Sequence, residues 1–188
     1  QQLHNTQNLK AMKKHSYYSN IKGNSTALYT IEEIFSQISG DKFKDTIDFC
    51  RYLVDKGRVK EYDIKKTELP AFTPNGVFSG ARKSENVSDY SNIMVLDIDK
   101  LNPKKVNNIK QKAASNKYAY GVAISPSGRG LKIFVRTNNK IEDHKATYES
   151  LVSYYQMILD VEIDRSGSDV ARLCFLTHDP NIHVNHNA

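Results

Sequence analysis

Along this 188-residue chain, apolar positions follow a helical rhythm in four stretches and form short apolar runs in four others. Thr30-Ile-Glu-Glu33 has the form of a capping box, in which the Thr hydroxyl and the Glu carboxylate satisfy free amides of a first turn. It predicts a helix that ends near Gly40. A second helix is predicted from Asp41 to Lys56, with Phe43, Ile47, Cys50 and Val54 on one face and Gly57 as its stop. From Val59 to Arg82, Pro70, Pro74, Gly76 and Gly80 interrupt the pattern, so short strands and turns are expected there, with Phe72 and Phe78 facing the core. The first 16 residues are Gln-, Asn- and Lys-rich and read as a flexible leader.

From residue 92 the two rhythms alternate. Ile93 to Asp99 is a continuous apolar run ending in acids, the mark of a central strand buried on both faces. Pro103 opens a helix to about Lys117 with the stripe Val106, Ile109 and Ala113. Tyr118–Ser125 and Leu131–Arg136 read as strands joined by the tight loop 126–130, a hairpin. A helix is predicted from Glu142 to Leu159, carrying Tyr148, Val152 and Tyr155, and a last strand from Arg172 to Leu176. The order β-α-β-β-α-β is the split βαβ arrangement of ferredoxin-like and RNA-recognition-motif domains. The fold class is therefore α/β (α+β), with an N-terminal lobe over residues 17–91 and an RRM-like unit over 92–185.

Composition adds a direction. Lys and Arg number 27 against 21 Asp and Glu, a net charge of +6, which favours polyanionic partners such as nucleic acid or nucleotides. Cys50 and Cys174 both lie in apolar segments, so they read as core thiols and point to a reducing, cytoplasmic setting. No apolar run approaches the ~20 residues that span a bilayer, so no membrane partner is expected.

Three groups of residues carry candidate chemistry. In Val95-Leu-Asp97-Ile-Asp99 the two acids are two apart on a strand and so share a face. Adjacent carboxylates repel unless a cation sits between them, and hard divalent ions take oxygen ligands; spacing alone equally allows Asp99 to be a helix cap. Ser125-Pro-Ser127-Gly128-Arg129-Gly130-Leu-Lys132 is a glycine hairpin whose amides, hydroxyls and cations could meet phosphate, or an ordinary turn with solvated charges. Ile163-Asp164 with Asp169 and Arg172 brings another acid and a cation before the last strand; the alternative is a loop of turn formers in which Asp164 or Asp169 caps. The lysines of the 103–117 helix read as a solvated face, and His178, His183 and His186 as a loop or tail rather than a metal site.

Taken together, these residues resemble the archaeo-eukaryotic primase superfamily of primase-polymerases, whose pattern is an Asp-x-Asp strand, a Ser-Gly-x-Gly-x-His hairpin and a hydrophobic-Asp step followed by Arg. More narrowly, the chain is similar to the BT4734-like (VirE N-terminal-like) domain. The matching phrases are Tyr18-Ser-Asn-Ile-Lys22, Leu69-Pro-Ala-Phe-Thr73, Phe78-Ser-Gly80, Leu96-Asp-Ile-Asp99, the 125–132 hairpin and Arg172-Leu-Cys-Phe-Leu-Thr-His-Asp-Pro180. The resemblance implies a two-lobed catalytic domain in which Asp97, Asp99 and Asp164 bind two Mg²⁺ or Mn²⁺ ions. It implies that Ser125, Ser127, Gly128, Arg129, Gly130, Lys132 and Arg172 hold a nucleoside triphosphate, with Arg82 and Lys83 as further phosphate or template contacts. Lys132 stands where the wider superfamily has His, and Lys suits the narrower group. The resemblance implies a domain often carried ahead of a helicase-like or primase C-terminal region in replication proteins of mobile elements; this chain stops before any such region, so it reads as a piece of a longer protein. The expected function is template-dependent nucleotidyl transfer on a DNA template and primer. The alternatives are a non-catalytic nucleic-acid- or nucleotide-binding module that positions a fused helicase, and a metal-dependent nuclease.

Overall fold

The computed structural model describes residues 12–188. Residues 1–11 of the expected leader lie outside the described residues, whereas Lys14, His15 and Ser16 do not belong to a leader at all: they start a strand, β1 (Lys14–Tyr18), with His15 and Ser16 fully buried. The Ser16 hydroxyl accepts the Phe78 amide at 3.0 Å, so a polar residue at this position serves an internal bond.

Two four-stranded antiparallel sheets form the body. The first has the order β2-β1-β3-β9, with β2 at Ala27–Thr30, β3 at Ala71–Phe72 and β9 at Cys174–Phe175. The second has the order β10-β7-β8-β6, with β6 at Ile93–Ile98, β7 at Ala119–Ile124, β8 at Leu131–Arg136 and β10 at His183–Val184. A small ribbon pairs β4 (Gly76–Phe78) with β5 (Val87–Tyr90).

Alternation along the second sheet assigns its two faces. Met94, Leu96, Ile98, Ile133 and Val135 face a core shared with α4 (Val106–Ala114) and α5 (His144–Leu159). The expected stripes Val106, Ile109, Ala113 and Tyr148, Val152, Tyr155, Leu159 all enter that core. Ile93, Val95, Tyr120 and Phe134 face the opposite way, onto Tyr17 and Phe72 of the first sheet and onto α1 (Ile31–Ser39). The Phe72 and Phe134 rings stack with centroids 6.5 Å apart, so the two sheets share one core. The capping box is formed: Thr30 Oγ1 accepts the Glu33 amide at 3.2 Å, and the Thr30 amide donates to Glu33 Oε2 at 2.7 Å.

Three expectations need correction. The predicted 41–56 helix is a 3₁₀ turn (Asp41–Phe43) followed by α2 (Lys44–Asp55), and Leu53 rather than Val54 is its buried residue beside Ile47 and Cys50. A further helix, α3 (Val59–Lys66), stands where strands and turns were expected. None of its residues is fully buried; it is fixed by Tyr62 packing against the small Ile47–Cys50–Leu69 core. Finally, the strand expected at Arg172–Leu176 does not complete the second sheet. It is shortened to β9 and pairs with β3 in the first, while the position beside β6 is taken by a single antiparallel bridge between Asp97 and Asp164.

Cys50 and Cys174 are both buried free thiols. Among the described residues, no helix is long and apolar enough to cross a membrane.

Candidate active site

The register of the second sheet builds the site. Asp97 is the direct antiparallel partner of Lys132 on β8. On its other side, the Asp164 amide donates to the Asp97 carbonyl at 2.9 Å. Asp97, near the end of β6, therefore lies between a lysine and a second acid. Its side chain shares the face of Ile93 and Val95, and two residues on, Asp99 lines the same cleft. Lys132 Nζ donates to Asp97 Oδ1 at 2.6 Å, with the lysine side chain 7% and the aspartate 26% exposed. Burial opposes the charge on Lys132, but the Asp97 carboxylate outweighs it and holds the ammonium above its ordinary range. Asp99 is accessible at the cleft mouth. Crowding by protein atoms, then the Asp97 charge, push its carboxyl above the usual carboxylate range, against Lys132 and Lys66. Cys174 lies behind the ion pair, where burial lifts its thiol to about 11 although Lys132 opposes the shift.

The cleft has a volume of about 300 Å³. Of the residues expected to hold nucleotide, Ser125, Lys132 and Arg172 line it, and Ser127, Gly128, Arg129 and Gly130 do not. Two of the loop's amides are engaged inside the turn: Gly128 N–H donates to the Ser125 carbonyl at 3.0 Å and Arg129 N–H to Ser127 Oγ at 3.1 Å. Arg129 pairs with Asp55 at 3.0 Å. Gly128 has φ of +70° and packs under the Arg51 side chain, so its glycine answers a left-handed turn.

Two walls of the cleft were not fully foreseen. The unexpected helix α3 supplies Tyr62 and Lys66, and Lys66 Nζ stands 5.0 Å from the Phe175 ring centroid and 5.9 Å from that of Tyr62. Burial pushes the Tyr62 phenol up to about 12. The Tyr-x-x-x-Lys spacing on one helix face was the available signal, hidden by the missed helix. Arg82 lines the cleft and donates to the Ala171 carbonyl at 2.6 Å, tying it to the loop that carries Arg172; Lys83 is not in the lining. Asp169 also lines the cleft, and its carboxylate accepts the Ala171 amide at 2.9 Å.

The oxygen donors suit a hard divalent ion only as a pair. Asp164 accepts the Ser166 amide at 2.9 Å and its hydroxyl as well, and these bonds, with Arg172 3.8 Å away, hold its carboxyl below the usual range although burial opposes them. Among the described residues, no three His, Cys, Asp or Glu side chains converge to hold a metal ion. Asp97 and Asp99 are adjacent acids without a third ligand, a set that suits Mg²⁺ when phosphate oxygens complete the shell. His178 lies in the loop after β9, as expected, and is buried there, with Nδ1 3.0 Å from the Gly40 carbonyl oxygen. Lys110, expected on a solvated helix face, instead pairs at 2.7 Å with the buried Asp179.

Fold and site together define a mixed α/β domain whose central antiparallel sheet presents a carboxylate pair to a cleft walled by cations. The chain belongs to the BT4734-like, N-terminal domain family, whose model matches residues 64–183, well over half of the chain. No curated protein and no solved structure matches it.

Proposed function

We propose that this chain is a nucleotidyl-transfer domain of the primase-polymerase type, acting with Mg²⁺ or Mn²⁺ on nucleoside triphosphates and a DNA template and primer. One observation carries the reading: Asp97 and Asp99 line a single cleft with Lys66, Arg82, Lys132 and Arg172, cations from four separate stretches of the chain. The β6-α4-β7-β8-α5 unit, closed by the Asp164 bridge, supports an RRM-like palm beneath it. The family resemblance adds a fused helicase region and a replication setting.

Phosphoryl transfer asks the protein chiefly for positioning and charge neutralisation. Lys132 and Lys66 stand where a triphosphate would meet point charges, and Arg82 and Arg172 offer planar donors to phosphate oxygens. Tyr62 and Phe175 give the cleft an apolar wall that limits water near the phosphates. Asp97 and Asp99 would hold the divalent ion, with Asp164 as third acid once its carboxylate leaves Ser166. The ion would lower the pKa of an attacking hydroxyl and neutralise the leaving pyrophosphate.

Primer extension and primer synthesis with Mg²⁺ or Mn²⁺ test this. Asp97→Ala, Asp99→Ala should lower incorporation at least about a hundredfold, with circular dichroism confirming the fold. Incorporation that survives the double change sinks the proposal. A second reading, a non-catalytic module that binds nucleotide or nucleic acid beside a helicase, is favoured by the Lys132–Asp97 ion pair, which occupies the acid a metal would need. It expects DNA binding that ignores both divalent metal and Asp97→Ala.

A further inference from the structure

The Lys132–Asp97 pair joins the two groups that the proposed function assigns to different ligands. Asp97 is a candidate cation ligand and Lys132 a candidate phosphate ligand, yet here each is the other's partner at 2.6 Å. Asp99 makes no ion pair in the described residues and so stays open to a cation. Lys132 is a strand residue set by register opposite Asp97, with a side chain only 7% exposed, so it cannot swing into bulk water when the pair opens. A divalent ion on Asp97 would face the ammonium as a like charge and break the pair. A phosphate that draws the ammonium away would leave Asp97 an unpaired, partly buried carboxylate. Removing one partner of such a pair leaves an uncompensated charge, which is strongly unfavourable. Each ligand therefore removes the other's competitor and supplies a replacement for the partner it displaces.

Resting on the proposed function, we infer that the Lys132–Asp97 ion pair is an internal latch that makes cation binding and polyphosphate binding mutually dependent. Lys132 is in this sense a positioning residue for Asp97 before it is a phosphate ligand. Coupling between two sites must be reciprocal, which gives two independent readouts, neither of them turnover.

The first is calorimetric titration of inorganic tripolyphosphate into the protein with chelator present, so that no divalent ion contributes. Asp97→Asn frees Lys132 and should tighten binding about tenfold over the wild type. Asp99→Asn removes the same charge from the same cleft without opening the latch, and should change affinity by about threefold at most. In the Asp97→Asn, Lys132→Met double variant the gain should vanish, a cycle that isolates the pair from simple charge removal. The second readout is electron paramagnetic resonance of free Mn²⁺ without nucleotide. Lys132→Met should bind Mn²⁺ about fivefold tighter than the wild type, because Asp97 no longer has an internal partner. Thermal melting of each variant confirms that it is folded; the double variant, which leaves neither charge alone, provides the folded reference if a single change does not.

Equal gains from Asp97→Asn and Asp99→Asn, or Mn²⁺ affinity unchanged in Lys132→Met, would overturn the latch while leaving the proposed function standing. Tripolyphosphate binding in none of the proteins, with or without Mn²⁺, would overturn both.

Discussion

Gly130 leaves no room for a side chain: a Cβ there would lie 2.2 Å from the Ile98 carbonyl oxygen and 2.9 Å from Ser125 Oγ. The backbone oxygen cannot yield, so the hairpin loop would have to lift from the end of β6, where the Leu101 amide also donates to the Arg129 carbonyl at 2.8 Å. Gly130→Ala should cost about 2 to 4 kcal/mol in urea unfolding. Gly128→Ala, which meets only the flexible Arg51 side chain but keeps a positive φ, should cost about 1 kcal/mol. Two histidines set a pH dependence at the same scale. His15 Nδ1–H donates to the Thr73 carbonyl (3.1 Å), His144 Nδ1 and the Tyr90 hydroxyl share a hydrogen bond (2.9 Å), and burial lowers both histidines below the ordinary value. The unfolded chain then binds more protons than the folded one below pH ~6.5. Stability should be full above that pH and fall as the pH drops from it toward the depressed folded values; urea midpoints at pH 7.5 and 5.5 would show the loss, and a flat profile would refute it. The residues whose placement in the cleft was legible were Asp97 and Asp99, from the two-residue spacing of a strand, and Lys132, from its position on the strand that leaves the glycine loop. The role of Gly130 was not legible, because its crowding comes from a carbonyl 32 positions away in a neighbouring element.

Elements were legible where a stripe enters the core. Thr30-Ile-Glu-Glu33 predicted its cap, and Thr30→Ala should cost about 1 kcal/mol by thermal or urea unfolding. α3 was missed for a physical reason: with no fully buried residue it has almost no apolar stripe, and tertiary contact through Tyr62 holds it. Its consequence for the site is direct. Lys66→Ala should raise the KM for nucleotide about tenfold, the loss of one charge-assisted contact, with little change in kcat; an unchanged KM would take α3 out of the site. β9 was legible as an extended segment, yet its sheet was not, since periodicity carries no record of which distant edge a strand joins.

At the scale of the whole molecule, one buried acid fastens the C-terminal stretch to the second sheet. Asp179 is 3% exposed, accepts the Ile124 amide at 2.8 Å and Lys110 at 2.7 Å, and donates its own amide to the Ile38 carbonyl. It joins α4, β7 and α1 through one side chain and one amide. Asp179→Ala leaves the Ile124 amide without its acceptor and the Lys110 ammonium with the Asn181 carbonyl (2.7 Å) but no counter-charge, and should destabilise by about 2 to 4 kcal/mol in urea. Lys110→Met, Asp179→Leu should recover part of that, which a pairwise cycle would measure. No sequence rhythm announces such a link, because a lone acid between Thr177-His178 and Pro180 has the look of a turn.

The pairing of β3 with β9 bears on how the chain is made. During synthesis β3 emerges roughly a hundred residues before its partner strand. At about 5–20 residues per second, that edge waits some 5–20 s with its hydrogen-bonding groups free. Both strands are only two residues long, and a short edge is a poor template for another chain. Brevity at that seam makes the waiting edge a weak template for a neighbouring nascent chain before its own last strand arrives.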